Sequence, residues 1–214
     1  MTIPNTRLHE FHPEPTMLKP LPALVLVAVV SAGCPLPGIA QEKATPRLDI
    51  AAKELGWQEF TPPDKSFKLM FPAKPAKQRI SEVNRSSGID LSSYKATLGT
   101  LEFTLMYLTL SYPLEDAETS KRLLDGAREL ALANTKAQVL SEIEMWFDEH
   151  PGRELLVKFP TTIMKARIFL IARRMYTLGV TLPYTESNQK EIKDAVELMA
   201  NRYFASFTRL VPKK

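Results

Sequence analysis

The chain has 214 residues, 44% hydrophobic and 24% charged, a balance that excludes a disordered segment or a repetitive fibre and suits one ordinary domain. Its formal net charge of +4 is mild, and Lys and Arg are interleaved with acidic residues, which argues against nucleic acid as a partner. The single cysteine is Cys34, near the N-terminus, so the remainder has no thiol for a disulfide, a thiolate metal site or a nucleophile.

From Leu24 to Val30 the residues are all apolar, followed by the small Ser31, Ala32 and Gly33 and preceded by Met17, Leu18 and Lys19. A basic start, an apolar run of about eleven residues and a small-residue exit are the layout of a secretory signal, whereas a spanning helix needs about twenty. Residues 1–16 carry His9, Glu10, His12 and Glu14, an unusual prelude to a signal core, which makes Met17 an alternative start. Two exits are readable. Ser31-Ala32-Gly33-Cys34 resembles a lipoprotein box, which would make Cys34 the lipidated first residue of the processed chain. Gly38-Ile39-Ala40, with the helix-breaking Pro35 and Pro37 just upstream, suits a signal peptidase cutting before Gln41. The expected organisation is a leader over 1–40, a linker or frayed helix over 41–56, and one α+β domain over 57–210, exported to the periplasm or cell envelope.

Trp57 to Phe60 and Phe67 to Phe71 alternate aromatic and polar residues around Pro62-Pro63-Asp64, which predicts an opening hairpin. Gln78 to Val83 and Asp90 to Thr97 read as weakly apolar edge strands flanking Ser86-Ser87-Gly88. Leu101 to Leu110 is apolar on both parities, the mark of a central strand. Asp116 is the expected N-cap of a helix whose stripe is Leu123, Leu124, Ala127, Leu130, Ala131 and Asn134. Four strands follow, Val139–Phe147, Gly152–Phe159, Met164–Ile171 and Tyr176–Leu182, with turns expected at Asp148–Gly152, where Pro151 precedes Gly152, at Pro160–Thr162 and at Arg173-Arg174. Asn188 and Glu191 form a capping box before a last helix with Ile192, Ala195, Val196, Met199, Tyr203 and Phe207 on its apolar face. This order implies an antiparallel β-sheet covered by helices.

Leu123 to Arg128, His150 to Glu154 and Ala166 to Leu170 resemble segments of a family of uncharacterised exported bacterial proteins, and the element order from Trp57 to Leu210 resembles the fold of PsbP and Mog1. The resemblance implies an α/β/α sandwich. It also implies a binding or assembly module, because PsbP-type domains are non-enzymatic subunits of a photosynthetic complex and Mog1 binds a small GTPase. It transfers no partner, since no contact motif of either is matched and fold alone does not fix function.

Chemistry is sparse. Beyond the leader there is one histidine, His150, and no His-x-x-x-His, Gly-x-Ser-x-Gly, phosphate loop or dinucleotide fingerprint, so no cofactor and no metal site is implied. A solvent-exposed turn residue is the simpler reading of His150, an imidazole with no orienting partner. Glu142 and Glu144 share a strand face and are expected to pair with bases on the next strand, whereas Asp148 and Glu149 point apart. Arg153, Lys158, Lys165, Arg167, Arg173 and Arg174 fall on consecutive strands, with Lys165, Arg167 and Arg173 expected on one face beside Phe169 and Ile171. Arg167 forking to Glu154 is one outcome. A patch for a partner or an anion formed by His150, Arg153, Glu154, Lys158, Lys165 and Arg167 is the other. The function expected is a non-catalytic envelope module whose partner is an envelope protein or the membrane surface; the alternative is a hydrolase centred on His150, Glu149, Arg153 and Glu154.

Overall fold

The computed structural model describes residues 56–78, 90–110, 116–133, 136–184 and 189–210. The segment expected to be a leader, with Cys34, the expected linker up to residue 55, most of the strand expected over Gln78–Val83, and the helix-flanking Asn134 and Asn188 lie outside the described residues.

Two strands open the fold, β1 (Gln58–Phe60) and β2 (Phe67–Phe71), and they form the expected antiparallel hairpin, pairing Phe60 with Leu69. After the short β3 (Ala76–Lys77) come β4 (Asp90–Leu98) and β5 (Leu101–Thr109), joined by a tight turn in which Gly99 has φ +57°. The helix α1 (Ala117–Leu132) begins at Asp116, whose carboxylate accepts a hydrogen bond from Thr119 N at 2.6 Å. Four strands follow as an antiparallel meander, β6 (Gln138–Phe147), β7 (His150–Lys158), β8 (Thr162–Ile171) and β9 (Arg174–Pro183). The helix α2 (Gln189–Ala205) and the short β10 (Thr208–Arg209) complete the order.

Seven strands form one antiparallel sheet in the order β3-β4-β5-β9-β8-β7-β6. The chain leaves β5 in the interior, crosses by way of α1 to β6 at the far edge, and then steps back strand by strand until β9 pairs with β5. β5 is therefore central, as its two apolar parities require. The architecture is α+β, an antiparallel sheet between helical layers.

The two faces of the large sheet are covered differently. One face holds Phe103, Leu105 and Tyr107 of β5, Phe169 of β8, and Tyr176, Leu178 and Val180 of β9, packed against α2 and against β2. This core is aromatic: Phe67 of β2 sits 5.5 Å from Tyr107 and from Tyr176, and stacks at 5.3 Å on Phe207. Tyr203 of α2 is fully buried there, yet its hydroxyl donates to the Thr104 carbonyl at 3.0 Å, so its oxygen is not stranded. The other face is aliphatic, with Leu155, Val157, Ile168, Leu170 and Met175 meeting Leu124 and Ala127 of α1.

Two sequence expectations are corrected. The Pro151-Gly152 pair makes no turn: the chain reverses at Asp148-Glu149, and Pro151 and Gly152 lie within β7, opposite Trp146 and Met145. Asp148 has φ +52°, a left-handed conformation that Asp tolerates better than most side chains. Pro151 costs no ladder bond toward β8, because that pairing starts only at Gly152 with Phe169. Arg173 also leaves the face assigned to it. It occupies the turn between β8 and β9, where its guanidinium donates to the Leu110 carbonyl at 3.0 Å.

The small sheet, ordered β1-β2-β10, was not foreseen as a separate unit. β10 pairs Thr208 with Lys68 and Arg209 with Phe67, and the Ser206 hydroxyl accepts from Met70 N at 3.0 Å. Among the described residues no helix is long and apolar enough to cross a membrane.

Candidate functional site

The basic residues of β7 and β8 do not form one patch. Arg153 and Glu154 are consecutive in a strand and leave the sheet on opposite faces, so the residues grouped by the sequence are divided between two separate clusters. The neighbouring Gly152 permits the close approach of β7 to β8: a Cβ there would lie 2.7 Å from the Ile168 carbonyl oxygen and 2.9 Å from Phe169 Cβ.

On the face covered by α2, Glu154 stands opposite Arg167 in register. Its carboxylate accepts from Arg167 Nε at 2.6 Å and meets Lys165 Nζ at 2.9 Å. Lys165 also reaches Asn201 Oδ1 of α2 at 3.3 Å, and the Arg167 guanidinium lies 4.9 Å from the centre of the Phe204 ring. Burial alone would raise the Glu154 pKa, and it is the largest influence. Hydrogen bonds from Lys165 and Arg167, with the charges of both, outweigh it and leave the carboxyl below its ordinary value.

On the face covered by α1, Arg153 is buried and holds two acids at once. It donates to Glu142 Oε1 on β6 at 2.5 Å and to the carboxylate of Asp125 on α1. Arg128 of α1 donates to the second oxygen of Glu142 at 2.7 Å. The result is a four-residue lattice that fastens the helix to the sheet edge. Glu144, directly opposite Arg153 in register, is exposed.

The remaining residues are dispersed. His150 is half-buried at the start of β7, 3.4 Å from Arg209 of β10, and not in a solvated turn. It is four positions from Glu154, about 13 Å along an extended strand, too far to share a substrate proton. Glu149 is exposed in the turn. Lys158 lies 5.2 Å from the centre of the Tyr184 ring. Arg174 binds Asp64 at 2.5 Å and the Ser66 hydroxyl at 2.7 Å; burial, the largest influence, raises the Asp64 pKa, but the Ser66 and Arg174 bonds bring it below its ordinary value. Among the described residues no three His, Cys, Asp or Glu side chains are arranged to hold a metal ion.

Sequence reasoning missed Asp125, Arg128 and Asn201, which reach the clusters from helices, and, although it read the strand Val139–Phe147, it did not place that strand at the edge of the sheet. β6 pairs only with β7 and forms one border of the large sheet. It carries two of the large apolar side chains left in solvent, Ile143 at 56% exposure and Trp146 at 67%; Leu198 of α2 is the third among the described residues. A signal was available, because Trp146 shares its parity with Glu142 and Glu144, and an indole on the polar side of an alternating strand is out of place in a core.

No protein-family model matches the sequence, and no curated protein matches it. Several solved structures align with it at low identity. The Ran-binding protein Mog1p of Saccharomyces cerevisiae aligns over 73% of this chain and 96% of its own, with 9% identity and a TM-score of 0.46. Cyanobacterial PsbP (CyanoP) of Synechocystis aligns over 73% of this chain and 94% of its own, with 10% identity and a TM-score of 0.46. A protein of unknown function from Pseudomonas aeruginosa aligns over 74% of this chain and 98% of its own, with 10% identity and a TM-score of 0.37. Scores this low carry nothing about fold or partner, and the α+β architecture rests on the strand order and helices of this chain.

Proposed function

We propose that the chain is a non-catalytic binding or assembly module exported to the cell envelope. The observation that carries the binding part is where the charges have gone. Arg153, Lys165 and Arg167, the cations best placed to grip a ligand, each contact a carboxylate of the protein itself, while large apolar side chains stand in solvent along one border of the sheet. Cations held this way brace a fold, whereas exposed apolar groups on a free strand favour association. Export is supported by the apolar run from Leu24 to Gly33 and the two exits after it, Cys34 as a lipidated residue or Gln41 as a free N-terminus.

Each part has its own test. Mass spectrometry of the protein recovered from the envelope or periplasm should find a start at Gln41 or at a lipidated Cys34; an unprocessed chain in the cytosol overturns export. A photo-reactive residue at position 143 should cross-link a discrete partner in the envelope fraction, and the same probe at the exposed Glu118 of α1 should not. A reproducible hydrolytic activity lost in His150→Gln with unchanged melting would overturn the non-catalytic reading.

A further inference from the structure

β6 is ten residues long, and its outer flank faces no other strand among the described residues. A free edge of that length offers a row of unpaired N–H and C=O groups, and proteins usually blunt such an edge with Pro, Lys or a bulge. Here the register irregularity lies only at the start, between Val139 and Ser141. From Glu142 to Phe147 the strand is regular and contains neither Pro nor Lys. Pairing in the hairpin alternates, so with Phe147 opposite His150 beside the two-residue turn, the main-chain groups of Glu142, Glu144 and Trp146 point outward.

The side chains along this edge have a definite chemistry. Ile143 and Met145 lie on the α2 face, Glu144 and Trp146 on the α1 face, and exposed Asp148 and Glu149 follow in the turn. Glu142 already has its bases in Arg128 and Arg153. Glu144, Asp148 and Glu149 form no ion pair with another described residue, which leaves the exposed end of the edge acidic among the described residues. A second copy centred on this stretch would set carboxylate against carboxylate, the arrangement that opposes cross-strand pairing.

Taking the binding reading as its basis, we propose that β6 is a docking edge for an extended polypeptide segment with alternating aliphatic and basic residues, which adds as an eighth strand to the large sheet. The main-chain groups of Glu144 and Trp146 supply the ladder. Aliphatic side chains of the incoming segment cover Ile143 and Met145 on one face. On the other, its Arg or Lys side chains meet Glu144 and stack on the Trp146 indole, which is the best aromatic platform for a cation.

The test titrates the Trp57→Phe chain, in which Trp146 is the remaining tryptophan, with a blocked peptide of alternating isoleucine and arginine and reads the emission of Trp146, with a peptide carrying glutamate for arginine as the comparison. The arginine peptide should bind at least about tenfold more tightly than the glutamate peptide, weaken as salt is added, and shift the Trp146 emission to shorter wavelength. Glu144→Lys should invert the preference, and Trp146→Ala, followed by peptide polarisation, should cost about tenfold in affinity. Glu144→Pro removes one outward N–H and should abolish binding of either peptide; an unchanged far-ultraviolet dichroism spectrum shows that the sheet remains. Equal affinity for the two peptides, or binding unaffected by Trp146→Ala, overturns the proposal. So does a concentration-dependent dimer, seen by sedimentation and lost in Glu144→Pro, which would assign the edge to a second copy. Failure with the peptides alongside a discrete cross-link from position 143 would remove this edge chemistry while leaving the binding module standing.

Discussion

Consecutive residues of β7 serve two ion clusters of opposite design. On the α1 face a single base, Arg153, is shared by two acids from different elements, and Arg128 completes a balanced set. On the α2 face a single acid, Glu154, is shared by two bases of one strand, Lys165 and Arg167. The first ties a helix to a sheet edge, and with its centre removed Asp125 loses its base while the Arg128–Glu142 pair alone remains between helix and strand. The second is redundant within β8, and its link to α2 runs through Asn201 and the Phe204 ring. Similar charge counts therefore imply different dependence: a cluster centred on a bridging residue is fragile there, and a cluster with two donors tolerates the loss of either.

The largest test of that difference is Arg153→Met. Removing the shared base leaves Asp125 without its partner and Glu142 with Arg128 alone, and because Asp125 is 42% exposed the loss should fall below that of a fully buried pair, about 2 kcal/mol by denaturant unfolding. Lys165→Met should cost less, about 1 kcal/mol, because Arg167 still holds Glu154. Equal losses would abolish the distinction between the two designs.

A pH series sharpens it. The folded pKa of Glu154 lies below its ordinary value, so its stabilisation is complete above the unfolded pKa and is lost as pH falls through the folded one. Melting temperature should therefore drop on acidification, and Glu154→Gln should melt lower than the parent at neutral pH, with the gap closing in acid. Asp64 has the same sign, so the variant keeps part of the acid slope.

The smallest expected effect is Ala172→Gly. Ala172 has φ +52° in the β8–β9 turn, where a Cβ is strained by about 1 kcal/mol, and the entropy that glycine adds to the unfolded chain takes back part of that. A gain of about 0.5 kcal/mol in thermal unfolding is expected.

Much of this arrangement is legible in one dimension. The two apolar parities of Leu101–Leu110 predict a central strand, Asp116 announces α1, and the fork of Arg167 to Glu154 follows from their neighbouring strands, whereas the grouping of Arg153 with Glu154 overlooked the alternation that parts them. What one dimension lacks is the third. Asp125, Arg128 and Asn201 are ordinary polar residues on helix surfaces until the helices are laid on particular strands. The Pro151-Gly152 pair has the composition of a turn, yet three residues before Pro151 Asp148 accepts the left-handed backbone, and the shorter hairpin prevails. β10 has only two residues, too few for any periodicity, and its existence depends on the exposed flank of β2.

That last pairing bears on the order in which the molecule can be made. β2 is among the first described elements and β10 is the last, so Phe67 cannot meet Phe207 until translation has delivered nearly every described residue. A nascent chain that stops short of Phe207 has no means of sealing the aromatic layer. Closure of that layer is thereby deferred until β10 has been made, and deleting β10 should undo the packing of the β1–β2 hairpin as surely as a change within it.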